Sequence, residues 1–234
     1  MQPHELLLES LADQGWAVSD GLIDPQLCNQ LRARCTQDWD QGRFRQASIG
    51  HGAQVSTHTD IRGDSICWLE PEQAQGATAR FLALTEAWRG ELNRHFFLGL
   101  NNAEFHFARY PAGQGYKKHM DQHQGQPHRK ISLVLYLNSQ WTPEDEGELC
   151  LYCPDSGQEM TRILPQPGRL ALFRSDTILH EVRPCKRTRW SLTGWFRRDP
   201  AATWGQTPFL ARTLGSDPVQ GLTPVGPPFF ADGV

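Results

Sequence analysis

Six short segments in the second half of the chain alternate apolar and polar side chains with a period of two. They are AEFHFARY (103–110), KISLVLYLN (130–138), ELCLYC (148–153), MTRIL (160–164), RLALFR (169–174) and TRWSLTGWF (188–196). Turns that contain glycine and proline separate the segments, which is typical of short strands in a β-sandwich or barrel. We therefore expect a β core over residues 101–198.

The first hundred residues carry helical patterns instead. Asp24 followed by Pro25 is typical of an N-cap and a first-turn proline, and apolar residues then recur every four positions through about residue 40. Helices before strands favour an α+β, mainly β fold, in which residues 1–100 give helical support within the same domain. A second helix is predicted to begin near Thr78, with an apolar stripe of Phe81, Leu84, Trp88, Leu92 and Phe96.

Length and composition restrict the possible classes of protein. The 234 residues suit one domain with a modest extension, and 38% hydrophobic and 21% charged residues are typical of a globular protein. Residues 199–234 contain six prolines and no clear period, so we expect a proline-rich tail there. The net charge of -3 argues against a protein that coats nucleic acid.

Neither the apolar runs of the sequence nor its N-terminal stretch resembles a targeting signal. No apolar run approaches the roughly 20 residues that span a membrane, and the N-terminal stretch has no basic region of the kind that begins a secretory signal. The six cysteines are scattered without framework spacing, which favours reduced thiols. We expect a cytoplasmic protein with no membrane partner.

The stretch YPAGQGYKKHMD (110–121) is the most informative for chemistry. Residues i and i+2 of a strand point to the same side, so His119 and Asp121 would project together. His180 follows in LHEV, another strand candidate. Two histidines and one carboxylate form the facial triad of non-haem Fe(II) oxygenases. Taken alone, this combination of residues is a weak signal.

Arg189 strengthens the signal, because it lies on the predicted strand just after His180. A guanidinium there could hold a carboxylate in a bidentate pair, and Tyr136 could add a phenol hydrogen bond. A dicarboxylic 2-oxo acid could chelate iron at one end and meet Arg189 at the other. Alternation places Arg189, Ser191, Thr193 and Trp195 on one face of the strand, and Trp190, Leu192, Gly194 and Phe196 on the opposite face.

These residues together resemble the 2-oxoglutarate- and Fe(II)-dependent dioxygenases. Within that superfamily the chain is similar to prolyl hydroxylases related to the oxygen-sensing animal enzymes that modify hypoxia-inducible factor. Order and spacing agree over about residues 5–198, and the short chain resembles the bacterial branch. The closer match is carried by DIRGDSICW (60–68), YPAGQGYKKHMD (110–121), YLNSQW (136–141) and HEVRPCKRTRWSLTGWF (180–196).

The resemblance implies a double-stranded β-helix (jelly-roll) barrel buttressed by N-terminal helices. It also implies Fe(II), 2-oxoglutarate and O2 as cofactor and cosubstrates, with ascorbate in support, and no catalytic side chain beyond the metal centre. By the same resemblance, iron would be bound by His119, Asp121 and His180, 2-oxoglutarate by Arg189, Tyr136 and Thr193, and the substrate by Tyr110, Trp195, Asp64, Arg129 and Arg62.

The implied reaction hydroxylates a prolyl residue of a protein and releases succinate and CO2. Because the bacterial branch is associated with elongation factor Tu, that GTPase is the expected partner. Two alternatives stay open. One is the same chemistry on a free amino acid, a small peptide or a nucleobase, and the other is a non-catalytic barrel that senses iron or 2-oxo acids.

Two local features also have alternative interpretations. Basic residues next to aromatic ones between 183 and 198 could indicate a nucleic-acid surface, although the net charge and the IRGD segment argue against it. Arg62 and Asp64 could form a surface ion pair of little energetic value instead of a substrate contact.

Overall fold

The computed structural model describes residues 3–47, 61–122 and 126–200. Every described helix and strand lies within one compact unit, Met1–Asp199, so the predicted tail falls almost wholly outside the described residues. In chain order the elements are α1 (Pro3–Gln14), β1 (Trp16–Ser19), α2 (Pro25–Asp40), β2 (Arg45–Gln46), β3 (Ser65–Trp68), α3 (Ala77–Phe96), β4 (Asn102–Tyr110), β5 (Tyr116–His119), β6 (Arg129–Tyr136), β7 (Leu149–Tyr152), β8 (Glu159–Ile163), β9 (Leu170–Arg174), β10 (Leu179–Val182) and β11 (Arg189–Arg197).

Two antiparallel sheets form the core. Seven strands follow the order β1-β9-β6-β11-β4-β3-β2, and four follow the order β5-β10-β7-β8. Tyr136 and Phe173 of the larger sheet and Leu149 and Leu151 of the smaller belong to one buried apolar cluster, so the sheets pack face to face. This is the arrangement of a double-stranded β-helix, and it confirms the predicted fold class.

Three helices cover the outer face of the larger sheet. α2 begins as predicted, because the Asp24 side chain accepts a hydrogen bond from the Gln26 amide at 3.0 Å and Pro25 opens the first turn. Leu31 of α2 and Phe81 of α3 are buried in the same cluster as apolar residues of β4, β6 and β11. None of the described helices combines the length and hydrophobicity that a membrane span requires.

The predicted stripe of α3 is wrong at Leu84, which is 38% exposed. Repeated steps of four residues drift around a helix that has 3.6 residues per turn, and Thr85 occupies the buried position instead. Helix α1 was not predicted from the sequence, although its residues Leu7, Leu8 and Leu11 pack into the core.

Strand β11 lies between β6 and β4 and has the two faces that the alternation predicted. Leu192 and Phe196 pack toward the helices, while Thr193 and Trp195 line a cavity between the sheets. Only glycine fits at position 194, because a Cβ there would lie 2.2 Å from the Glu104 carbonyl oxygen. The close approach of β11 and β4 fixes the residues that face the cavity.

Candidate active site

Three side chains suited to metal binding converge where β5 meets β10. His119 ends β5 and lies directly opposite His180 in the ladder between these strands. Asp121 follows just beyond the end of β5, so it is not in the strand as the sequence suggested, yet it still faces the two histidines. One ligand atom from each side chain lies within 4.8 Å of the other two. No other such group of three His, Cys, Asp or Glu side chains occurs in the described part of the chain.

Both imidazoles are held in an orientation that frees the same nitrogen. Nδ1 of His119 donates to the Lys117 carbonyl at 2.8 Å, and Nδ1 of His180 donates to the Ile178 carbonyl at 3.1 Å. Each Nε2 then lies 3.6 Å from a carboxylate oxygen of Asp121. Burial, with the neighbouring His119, lowers the pKa of His180 to about 4, so its imidazole is neutral and offers a lone pair.

Asp121 is held as an anion within this buried group. Burial raises its pKa, but the neighbouring His180 and His119 imidazoles and a hydrogen bond from Ser132 outweigh that effect and hold the pKa well below the usual range. Ser132 Oγ donates to the carboxylate at 2.6 Å and lies 2.8 Å from Ser175 Oγ. Two imidazoles and one fixed carboxylate fit a divalent iron ion and leave coordination positions open.

A cavity of about 720 Å³ lies over the three candidate ligands. Its wall is made of aromatic rings and paired charges contributed by β3, β4, β6 and β11. The cavity brings together the candidate metal ligands and most of the predicted substrate and cosubstrate residues, namely Arg62, Asp64, Tyr110, His119, Asp121, Arg129, His180, Thr193 and Trp195.

Arg189 and Tyr136 lie deeper, beside this cavity, and are 2% and 0% exposed. The Arg189 guanidinium lies 5.2 Å from the ring centre of Tyr110, which lines the cavity, and 5.0 Å from that of Tyr136. Arg189 Nε and the Tyr136 hydroxyl have no hydrogen-bond partner among the described residues. A buried cation with unsatisfied donors is costly unless an anion joins it, so this pair fits the distal carboxylate of a 2-oxo dicarboxylate.

The Arg62–Asp64 pair is buried, so the surface alternative is wrong. Asp64 is 1% exposed, and Arg62 donates to its two carboxylate oxygens at 2.7 and 3.0 Å. The guanidinium also lies 4.9 Å from the ring centre of Tyr116, and Tyr116 stacks on the His119 ring at 3.5 Å. The ion pair therefore connects the start of β3 with a candidate metal ligand.

Arg129 lies on the same side of the cavity as Trp195. Its guanidinium is 3.4 Å from the Trp195 ring centre, and it donates to the Glu104 carboxylate at 2.9 Å. Arg129 is thus a paired cation that lies over an aromatic ring, and these contacts orient both side chains.

Several residues of the site were not predicted from the sequence. Ser132 had a usable signal, because it shares a strand face with Tyr136. Ser175 and the stacking of Tyr116 on His119 depend on long-range contacts that periodicity does not show. His106 and Trp68 also line the cavity and are adjacent in the β3–β4 ladder.

Several cations of the basic segment after His180 are paired or buried. Lys186 pairs with Glu146 at 2.8 Å, Arg197 pairs with Glu104 at 2.8 Å, and Arg189 is buried. This pairing does not favour a nucleic-acid surface.

Comparisons with known protein families and with solved structures agree on one family. The 2OG-Fe(II) oxygenase superfamily matches residues 105–197. A crystal structure of a Pseudomonas putida prolyl-4-hydroxylase is 37% identical, with a TM-score of 0.74, and the match covers 82% of this chain and 97% of that one. A Trichoplax adhaerens prolyl hydroxylase, in complex with a peptide fragment of the hypoxia inducible factor oxygen degradation domain, has the same fold at 24% identity, with a TM-score of 0.73 and coverage of 83% of this chain and 88% of that one.

A curated animal protein also matches over most of this chain. Human Egl nine homolog 1 is 28% identical over 199 residues, which are 82% of this chain and 46% of the human protein. The chain therefore spans about half the length of that relative.

Proposed function

Since this chain belongs to the 2OG-Fe(II) oxygenase superfamily, and within it to the prolyl hydroxylases, we propose that it hydroxylates a prolyl residue of a protein substrate. The reaction would consume O2 and 2-oxoglutarate and release succinate and CO2. We propose elongation factor Tu as the substrate, from the resemblance to the bacterial branch, and this partner implies a cytoplasmic location.

The observation that carries the proposal is the buried guanidinium of Arg189, whose Nε has no hydrogen-bond partner among the described residues, next to the cavity that holds the three candidate metal ligands. Arg189 Nε lacks a partner among the described residues, and a planar fork of N–H donors matches the two oxygens of a carboxylate in a bidentate pair. We assign the distal carboxylate of 2-oxoglutarate to Arg189, with hydrogen bonds from Tyr136 and Thr193.

His119, Asp121 and His180 would hold Fe(II) through two Nε2 atoms and one carboxylate oxygen. When bound, iron and 2-oxoglutarate supply the oxidising power that places an oxygen atom on an unactivated carbon. Ser132 fixes the Asp121 carboxylate by its hydrogen bond. The protein's own contribution is geometry, because its side chains fix the metal ligands and line the cavity above them.

Tyr110 and Trp195 would line the position of the target proline, since both rings face the cavity. The Arg62–Asp64 pair and Arg129 would bind the chain on either side of it. Burial raises the pKa of the Tyr110 phenol well above its usual value, so the hydroxyl stays protonated and can donate a hydrogen bond to a substrate carbonyl.

Mass spectrometry of purified elongation factor Tu and of cell extract tests the proposal. Each sample is incubated with the protein, Fe(II), ascorbate and 2-oxoglutarate under ¹⁸O2, and the control reactions omit 2-oxoglutarate or contain His180→Ala. The expected result is one labelled oxygen on a prolyl residue in the complete reaction alone.

The other outcomes separate the alternatives. If 2-oxoglutarate is consumed while no protein gains oxygen, a small-molecule substrate is favoured. If neither cell extract nor elongation factor Tu stimulates the consumption of 2-oxoglutarate, the proposed hydroxylase activity is contradicted and a sensing role is favoured. Labelled proline in another protein would retain the activity and replace the partner.

A further inference from the structure

Three rings form one side of the cavity, and we call them the aromatic wall: Trp68 on β3, His106 on β4 and Trp195 on β11. Trp68 lies directly opposite His106 in the β3–β4 ladder, and their ring centres are 4.9 Å apart at an interplanar angle of 74°. The His106 and Trp195 ring centres are 5.5 Å apart. Trp68 is 42% exposed, so the wall runs from the buried interior to the protein surface.

The wall contains an unused hydrogen-bond acceptor. His106 is 2% exposed, and its Nδ1 donates to the Phe107 carbonyl at 3.2 Å. The lone pair therefore lies on Nε2, which has no partner among the described residues. The indole Nε1–H of Trp195 also lacks a partner there. Native proteins pair most buried polar atoms, so a bound molecule is the natural partner for both.

The charges near the wall are already paired. Arg62 is held by Asp64, and Arg129 is held by Glu104. Burial, with a further effect from the Arg62 cation, lowers the pKa of His106 to about 4, so this side chain is a neutral acceptor near pH 7. The wall therefore suits a neutral group that offers an N–H donor and has a flat face.

We propose that the aromatic wall binds the main chain of the substrate beside the target proline, and that His106 Nε2 accepts a hydrogen bond from a backbone N–H. This inference rests on the proposed function. A proline in a peptide has no N–H, so the donor belongs to a neighbouring residue. His106 then distinguishes a peptide from free proline, which lacks the neighbouring amide.

Peptides in which one amide is replaced by an ester test the contact, because an ester has no N–H. The probes are pools of acetylated, amidated heptapeptides with a central proline and randomised flanks. Two matched pools carry an ester in place of the amide N–H of the residue before or after the proline. The measurement is 2-oxoglutarate-dependent oxygen gain by wild type, His106→Phe, His106→Gln and a surface control, His95→Phe.

We expect one ester pool to react about tenfold more slowly than the amide pool with wild type and with His95→Phe, the effect of one lost buried hydrogen bond. His106→Phe removes the acceptor, so this variant should react slowly with the amide pool and with that ester pool, and it should show no preference between the two. His106→Gln keeps an acceptor and should keep the preference. A thermal unfolding curve checks each variant, and His106→Leu replaces a Phe variant that does not fold.

An equal preference for the amide pool in wild type and His106→Phe would overturn this inference while leaving the hydroxylase activity intact. The absence of any ester effect in wild type would overturn it as well. If wild type oxidises no pool and no protein in extract, the proposed function fails and the inference fails with it.

Discussion

Ser132 Oγ donates a hydrogen bond over 2.6 Å to Oδ2 of Asp121, the same oxygen that lies 3.6 Å from Nε2 of His180. The serine is fully buried on β6, within the larger sheet, whereas His180 belongs to the smaller one. The orientation of the carboxylate therefore depends on how the two sheets pack.

Replacing Ser132 by alanine should weaken metal binding about tenfold or more, because outer hydrogen bonds orient the ligands and tune their basicity. Calorimetric titration of Ser132→Ala with Mn(II) in place of iron measures the affinity without turnover. Ser139→Ala is a matched control, since Ser139 is exposed. An unchanged Mn(II) affinity in Ser132→Ala would show that the hydrogen bond from Ser132 does not contribute to metal binding by Asp121.

Arg189→Lys should raise the concentration of 2-oxoglutarate needed for half-maximal turnover by tenfold or more, because a point charge cannot replace two parallel N–H donors. Arg187→Lys is the control, since that side chain is 51% exposed. Succinate formation at increasing 2-oxoglutarate concentrations measures the effect. A normal requirement in Arg189→Lys would remove Arg189 from the proposed cosubstrate site.

Asp64→Asn should lower the free energy of unfolding by about 3 kcal/mol, because it leaves the Arg62 cation buried without a partner. It should also abolish turnover of a protein substrate while Mn(II) binding persists. Asp176→Asn is a matched control: Arg174 and Asp176 have the same spacing and bidentate geometry, but their side chains are 50% and 31% exposed. Urea unfolding and succinate assays compare the two, and equal effects would contradict a special role for Asp64.

His106 should make the folded state less stable in mild acid. Its pKa is about 4 in the folded protein and about 6.5 when unfolded, so only the unfolded chain gains this proton between those pH values. The contribution of His106 to the free energy of unfolding should fall by up to about 1.4 kcal/mol per pH unit and by about 3 kcal/mol in total. Urea unfolding of wild type and His106→Gln at pH 7.5 and pH 5 measures the difference. An equal loss of unfolding free energy between pH 7.5 and pH 5 in wild type and His106→Gln would contradict this assignment to His106.

Much of the fold was predictable because its signals are local. Period-two alternation identified β4, β6, β7, β8, β9 and β11, and the Asp24–Pro25 start identified α2. Part of the site was predictable for a similar reason, since Arg189 shares a strand face with Thr193 on β11. Strand alternation did not account for Asp121, which lies beyond the end of β5 and faces the histidines from the segment that follows.

What sequence could not predict depends on contacts between distant segments. The Arg62–Asp64 pair is buried where the segment before β3 meets β5, through the Arg62–Tyr116 bridge and the hydrogen bond from Gly63 to Gly115. The Ser132–Ser175 contact joins β6 to the residue that follows β9. Leu84 shows the other limit, because apolar spacing alone does not say how far a helix stripe drifts before it leaves the core.

The direct pairing of His119 with His180 in the β5–β10 ladder has a consequence for insertions and deletions. The chain between Asp121 and His180 can change length in its distant loops without disturbing the two histidines, because strand pairing sets their separation. A single residue inserted within β10 ahead of His180 would turn its imidazole to the opposite side of the sheet. Natural and engineered variation in this protein should therefore collect in the connections and spare the ladder.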